Sequence, residues 1–396
     1  MQWIASAAFG LEGLVKRDLL RMGAGRVRVL PSGGVGFEGG AEDGFRANLW
    51  LRTADRVLLE VGRFKAVSFD ELFRGVGALP WEEYMPPDAA FPVRAQCARS
   101  RLMSPGDCQS IVKKSIVERL RRAHGVSLLP ETGPAFQVDV AIHEDEVCVS
   151  MDSTGPALSR RGYRTWNGEA PLRETLAAAL ALNSPWRPDM PLYDPCCGTG
   201  TILIEAAFIA LDRACGLTRD FAMENWPMLD GALAGRIRGE AQARFEEGIK
   251  RPLRIAGSDI DGQALELARR HLKQAGLPGR IALSQADLRN ITPAAGPGVI
   301  ITNPPYGERL GDRRAAQAVA RALGGLSARC PDWTVCVLTA DRGFERAFGR
   351  RADKRRRLYN GRLECEFMTF YPAPGARPEK DDGGYTRYSK KGWAQK

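Results

Sequence analysis

Histidine is scarce in this 396-residue chain: His124, His143 and His271 are the whole supply. Three histidines so far apart leave little for a zinc or iron site to use, and no metal is expected. Long apolar runs are absent as well. No stretch approaches the roughly 20 residues that a membrane helix needs, so no membrane association is expected. The start, MQWIASAAFG, has no basic flank and only a short apolar run, which argues against a secretory signal and for the cytoplasm. The nine cysteines, Cys97, Cys108, Cys148, Cys196, Cys197, Cys215, Cys330, Cys336 and Cys365, are odd in number and scattered. They fit neither a zinc ribbon nor a disulfide framework. Acid is in deficit: 57 Lys and Arg stand against 47 Asp and Glu, a formal net charge of +10. That balance alone points only weakly to nucleic acid, because many basic proteins bind none.

What is present is organised around residues 190–205, MPLYDPCCGTGTILIE. Leu192 and Tyr193 close a short apolar run that reads as a buried strand. Ile202, Leu203, Ala206, Ile209 and Ala210 continue as a helix that is apolar on nearly all sides. A strand feeding a helix through a glycine-rich turn is the nucleotide-binding corner of an open α/β sheet. Gly198 and Gly200 let the backbone come close to a ligand, and the helix N-terminus favours a negative group. GTGTIL lacks the third glycine of the dinucleotide fingerprint. A tight structural turn is the alternative for this stretch taken alone. Cys196 and Cys197 lie in the turn and read as small packing residues rather than nucleophiles.

A second stretch, VIITNPPYGERL at 299–310, reads as a buried strand that stops at Asn303-Pro304-Pro305-Tyr306. Two prolines cannot continue a strand, so Asn303 and Tyr306 are held in a rigid turn at its carboxyl end, where ligands bind in this architecture. Between the two stretches lie LRIAGSDID (253–261) and RIALSQADL (280–288), each an apolar run ending in acid. Four successive strands ending in DPCCGTG, Asp259, Asp287 and NPPY resemble the class I S-adenosylmethionine (SAM)-dependent methyltransferases that act on amino nitrogens. The resemblance implies a Rossmann-like α/β domain with SAM as cofactor. In it Asp194 faces the methionyl ammonium, Asp259 the ribose hydroxyls and Asp287 the adenine amino group, while Gly198 and Gly200 admit the cofactor. Asp261 either shares the ribose role or caps a helix. Asn303 belongs to both the cofactor and the catalytic sets. Its side-chain oxygen and the Pro304 carbonyl would accept the two hydrogens of an exocyclic amine, and Tyr306 would stack on the target base.

The part before residue 165 divides in two. Residues 1–64 alternate strand, helix, strand, strand, helix, strand, with turns such as Pro31-Ser32-Gly33-Gly34, which suggests an α+β ferredoxin-like unit. Residues 65–164 contain a strand from Phe91 to Cys97, a helix lined by Ile111, Ser115, Ile116 and Leu120, and two strands, Phe136 to Ile142 and Glu146 to Met151. The order SRLMS, Gln109, VKKSIVERL, DSTG, Leu158, RRGYR resembles the THUMP domain, an RNA-binding module. Residues 165–372 form the expected methyltransferase domain, opened by a helix with Pro171 in its first turn. Its long interval at 212–250 is expected to extend over the sheet edge. Asn360-Gly361 marks a hairpin, and 373–396 are expected to be disordered. Three basic clusters, Lys113 to Arg122, Arg160 to Arg164 and Arg350 to Arg357, tilt the charge toward a polyanion.

In detail APLRETLAAAL, DPCCGTGTILIEAA, GSDID, NPPYGERL and LYNGRLECEF resemble the ribosomal RNA large-subunit methyltransferase L family. That resemblance implies an enzyme making N2-methylguanosine in large-subunit ribosomal RNA, with no obligate protein partner. Some members carry a second methyltransferase domain, for which this chain is too short. Single-domain relatives that methylate tRNA guanine keep tRNA as the alternative RNA. Protein-glutamine methyltransferases also use NPPY, but they leave a THUMP-like half without a role. DNA adenine-N6 enzymes do not normally carry such a module.

Overall fold

The computed structural model describes residues 1–31, 33–164, 172–306 and 310–372. Ser32 of the first turn, Pro171, residues 307–309 and the tail from 373 lie outside the described residues. Contacts divide the chain into two units: Met1–Ala7, Val15–Leu158 and Arg219–Glu240, and then Ala8–Leu14, Ser159–Thr218 and Ala241–Lys396.

The elements of the first part of the chain are β1 (Gln2–Ala7), α1 (Glu12–Arg21), β2 (Gly25–Val29), β3 (Val35–Glu38), α2 (Ala41–Trp50), β4 (Ala54–Lys65), α3 (Phe69–Gly77), β5 (Val93–Ala98), α4 (Pro105–His124), β6 (Val138–His143) and β7 (Glu146–Asp152). The strands form one seven-stranded sheet, ordered β2-β3-β1-β4-β7-β6-β5. Its centre is β4, twelve residues long, antiparallel to β1 on one side and to β7 on the other. The ferredoxin-like and THUMP-like stretches therefore share one sheet. Helix α4 starts on Ser104, whose hydroxyl accepts the Asp107 N–H, and ends on Gly125 in the left-handed region at φ +66°. It buries Cys108, Val112, Ser115, Ile116 and Leu120, so Val112 rather than Ile111 belongs to the inner face. Helix α3 was not among the expected elements. Its apolar residues Phe69, Leu72, Phe73 and Val76 do follow helical spacing, and Leu72 and Val76 are the buried ones.

The basic residues of α4 are less free than their spacing suggested. The Lys113 ammonium donates to Glu131 at 2.6 Å and to the Phe91 carbonyl at 3.1 Å, and lies 3.6 Å from the Phe91 ring centre. Arg119 is held by Glu82 at 2.9 Å. Lys114, Arg121 and Arg122 are the exposed ones.

The second part continues with α5 (Glu174–Asn183), β8 (Leu192–Asp194), α6 (Thr201–Ala210), α7 (Gly231–Gly248), β9 (Ile255–Asp259), α8 (Gly262–Gln274), β10 (Ala282–Gln285), β11 (Gly298–Thr302), α9 (Leu310–Arg329), β12 (Trp333–Thr339), α10 (Phe344–Phe348), β13 (Lys354–Asn360) and β14 (Leu363–Phe370). A second seven-stranded sheet runs β10-β9-β8-β11-β12-β14-β13. The first five strands are parallel and β14 is antiparallel, entering through the hairpin at Asn360-Gly361. Its core packs Ile300, Val335 and Val337 with Leu323 and Leu326 of α9, and Phe348 stacks on Phe370 at 4.0 Å.

The long interval at 212–250 does not all lie over the catalytic sheet. Residues Arg219–Glu240 belong to the first unit, where Trp226 is buried and stacked on Phe136 with ring centres 5.5 Å apart. Phe221 meets Phe45 edge-on at 5.7 Å, and the Met223 N–H donates to the Ser153 carbonyl at 3.1 Å. Aromatic side chains in a polar, irregular stretch carry no period, so their destination was hidden in the sequence. Trp226→Ala is expected to cost about 3–5 kcal/mol in the first unit. Hydrogen exchange should then speed up in β6 and β7 while β8, β11 and β12 keep their protection. Loss confined to the catalytic sheet would contradict this packing.

Candidate active site

The order of the second sheet brings the four polar strand ends together. The neighbours β10, β9, β8 and β11 all run parallel, so Asp287, Asp259, Asp194 and Asn303 come off one edge of the sheet in that order. The chain passes from β8 outward to β9 and β10, then returns to the other side of β8 as β11. Between β8 and β11 the connections diverge, and such a switch point leaves a crevice above the strand ends.

The glycine turn is tied to this edge by hydrogen bonds. The Gly198 N–H donates to Asp259 Oδ2 at 2.7 Å, and the Cys197 N–H to the Ser258 carbonyl at 3.0 Å. The other Asp259 oxygen accepts the Asp261 N–H at 3.0 Å. Gly198 and Gly200 both have positive φ, +51° and +80°. A side chain at Gly198 would meet no atom within 4 Å, so the backbone there faces open space. Asp261 is the N-cap of α8, accepting the Gln263 N–H at 2.8 Å.

Asp194 is only 2% exposed, and burial pushes its carboxyl up to about 7, opposed by the Cys196 N–H that donates to it at 3.1 Å. Burial also raises the thiols of Cys196 and Cys197, with the nearby Asp194 adding to it, so both stay protonated and serve packing. Asp287 has the opposite environment. Arg289 donates through Nε at 3.0 Å to both of its oxygens, and this holds the carboxyl down at about 2. Asn303 follows β11, and the Tyr306 hydroxyl donates to its Oδ1, closing the proline turn on itself. Pro304 is buried and Pro305 exposed.

Two features of the site had no signal in the strand pattern. Ile260, between Asp259 and Asp261, is 68% exposed although it is fully aliphatic. Behind the turn lies a buried polar network. Arg161 and Glu205, both without solvent contact, are 3.4 Å apart, and the Tyr163 hydroxyl donates to Glu205 at 3.0 Å. Arg164 donates to the Thr201 hydroxyl at 2.6 Å, at the first residue of α6, and sits 3.6 Å from Glu174. The His271 Nδ1–H donates to the Thr199 carbonyl at 3.2 Å. Arg161 and Arg164, counted in the sequence as part of a basic cluster, are therefore internal supports of the turn. Only the acid of a distant helix revealed this, and charge spacing could not.

Comparison with known proteins follows this geometry. Family models match the RMKL-like methyltransferase domain at residues 161–369, the RlmL ferredoxin-like domain at 2–58 and the THUMP domain at 66–152. YpsC of Bacillus subtilis is 39% identical over 95% of this chain and 97% of its own length. Ribosomal RNA large subunit methyltransferase K/L of Syntrophotalea carbinolica is 35% identical over 93% of this chain and 53% of its own length, so the chain spans about half of that relative. A Listeria monocytogenes structure described as a predicted N6-adenine-specific DNA methylase superposes with TM-score 0.89 at 43% identity, covering 94% of this chain and 96% of that one. SMU.472, a methyltransferase solved in complex with S-adenosylhomocysteine (SAH), gives TM-score 0.88 at 42% identity, covering 94% and 98%. With SAM as its cofactor, the chain belongs to the RMKL-like methyltransferase family and carries the RlmL ferredoxin-like and THUMP domains ahead of the catalytic one.

Proposed function

We propose that the protein methylates the exocyclic N2 amine of a guanine in large-subunit ribosomal RNA, in the cytoplasm. The observation that carries this reading is the Asn303-Pro304-Pro305-Tyr306 turn at the end of β11, on the strand beside the glycine turn of β8. The THUMP match and the names of the relatives support RNA as the substrate: YpsC has the provisional name RNA methyltransferase, and the Syntrophotalea protein is a ribosomal one. Nine free thiols suit a reducing compartment. The Listeria neighbour's description favours adenine N6 in DNA as a second reading.

The residues fit SAM. Open backbone at Gly198, an exposed Ile260 and carboxylates at three strand ends suit a ligand with a flat apolar ring, hydroxyls and an ammonium. Bound there, SAM supplies a methyl group already activated by its sulfonium. The protein's task is to hold an amine and its charge. Asp194 would take the ammonium, Asp259 the ribose hydroxyls with the lone pairs that Gly198 and Asp261 leave free, and Ile260 one ring face. Asp287 would accept the adenine amino group while still holding Arg289.

A guanine amine is a poor nucleophile because its lone pair is delocalised into the ring. Asn303 Oδ1 has two lone pairs, of which Tyr306 takes one, leaving one for an amine hydrogen. The Pro304 carbonyl accepts the other hydrogen. Two acceptors fixed by prolines draw the amine toward a pyramidal shape and aim its lone pair, which is positioning and electrostatic stabilisation without a strong base. The Tyr306 ring would stack on the extruded base, its tilt set by the bond to Asn303.

The raised Asp194 carboxyl gives a pH dependence with a definite sign. The free protein holds this proton up to about pH 7, and pairing with an ammonium requires the ionised form. SAM affinity should therefore fall as pH drops below 7, approaching about tenfold per unit, with proton release on binding. Calorimetry of Asp194→Asn should show weaker and pH-flat binding over the same range. The same slope in the variant would assign the titration elsewhere.

Asn303→Ala should keep SAM affinity within a few-fold and lose turnover by about 100-fold or more. Wild-type turnover in this variant would remove Asn303 from the chemistry. The target is read by incubating the enzyme and labelled SAM with ribosomal RNA, tRNA and DNA, then digesting to nucleosides. Label in N2-methylguanosine from large-subunit RNA is expected. Label only in tRNA moves the target, and label in N6-methyladenine overturns the base assignment.

A further inference from the structure

We propose that the edge strand β13, with Phe9 beside it, is a second RNA-contact surface, on the catalytic unit, that takes an unpaired stretch of the substrate away from the methyl-transfer pocket. The inference rests on the reading that the substrate is RNA. Strand β13 begins Lys354-Arg355-Arg356-Arg357 and forms the outer edge of the catalytic sheet. Strand alternation puts Arg355, Arg357 and Tyr359 on one face and Lys354 and Arg356 on the other. The first face is largely neutralised: Arg355 meets Glu345 and Glu366, and Arg357 lies 3.5 Å from Glu364. On the second face, Lys354 and Arg356 have no carboxylate within 4.0 Å among the described residues, nor has exposed Arg362 in the hairpin turn.

Charge on an edge strand also prevents edge-to-edge pairing, and that role would explain the cations by themselves. It does not explain Phe9. This side chain is 66% exposed, with its ring 5.9 Å from Tyr359 and at 81° to it. Phe9 is held in place by its neighbour. Gly10 has φ +88°, and a Cβ there would meet the Arg357 carbonyl at 3.0 Å, so the loop lies directly against the β13 backbone. Tyr359 is fixed in turn by its hydroxyl, which donates to Glu364 at 3.1 Å. Exposed Phe9 on half-buried Tyr359 thus stands on one face of the edge strand and the unpaired Lys354 and Arg356 on the other, so a single strand crossing this edge can stack a base on Phe9 while its phosphates meet lysine and arginine. The unpaired charges of Lys354, Arg356 and Arg362 disfavour a second copy of the same strand and favour a polyanion as the partner.

The test uses the full chain, with a fluorescein-labelled single-stranded RNA of mixed sequence as the probe and anisotropy over a range of salt. Lys354→Glu with Arg356→Glu should weaken binding about tenfold and lower the salt slope by roughly one to two. Phe9→Ala should weaken it by about tenfold at unchanged slope, because stacking releases no counterions. Both variants should keep SAM affinity, which reports an intact catalytic unit. With saturating RNA they should keep kcat and raise KM. Wild-type affinity in both variants, with binding reduced instead by Arg121→Glu and Arg122→Glu, would overturn this surface and leave RNA as the substrate. A wild-type protein that binds no RNA would overturn both readings together.

Discussion

The site depends on one hydrogen bond, from the Gly198 N–H to Asp259. It joins the turn after β8 to the end of β9, two segments 61 residues apart in sequence. With the turn fixed, the first residues of α6 and the polar ends of the neighbouring strands are fixed too. A carboxylate accepting two backbone N–H groups is also oriented, so its remaining lone pairs point in set directions. The acid proposed to hold the ribose is thus the acid that shapes the adjoining loop, and the two roles cannot be separated by substitution at Asp259.

Behind that contact the protein places charge where water does not reach. Arg161 and Tyr163 meet Glu205 of α6 in a buried network, and Arg164 reaches the first residue of that helix. A buried pair of this kind adds little net stability over a well-packed apolar one, while loss of either partner leaves a charge in the interior at about 3–5 kcal/mol. Its geometric effect is clearer than its energetic one. The network anchors the segment entering the catalytic domain to the helix that carries the turn. Asp194 shows the same placement of an acid out of water, and burial pushes its carboxyl up to about 7.

Much of this was legible in the sequence, and for a physical reason. Strands that end in acid, asparagine or glycine show both the element and its polar terminus, because the apolar run stops where the buried part of the sheet ends. Asp194, Asp259, Asp287 and Asn303 could therefore be read in order, and the sheet arranged them along one edge. What stayed hidden were facts about partners. Lys113 and Arg161 looked alike as charges, yet one lies over Phe91 and the other is sealed against Glu205. Trp226 gave no sign of leaving the catalytic stretch for the first unit. Ile260 looked like part of a strand until its exposure showed an apolar side chain facing outward.

Strand β4 has one further consequence. Two separately recognised modules, matched at 2–58 and 66–152, are sewn through the same twelve residues, with β1 bonded to one side and β7 to the other. Cutting the gene between them would not yield two halves that fold as they do together. A fragment beginning after β1 and β3 would present β4 as a long bare edge, open to pairing with any extended chain it met. The modules are units of descent, whereas the sheet is the unit of folding, and in this protein the two do not share a boundary.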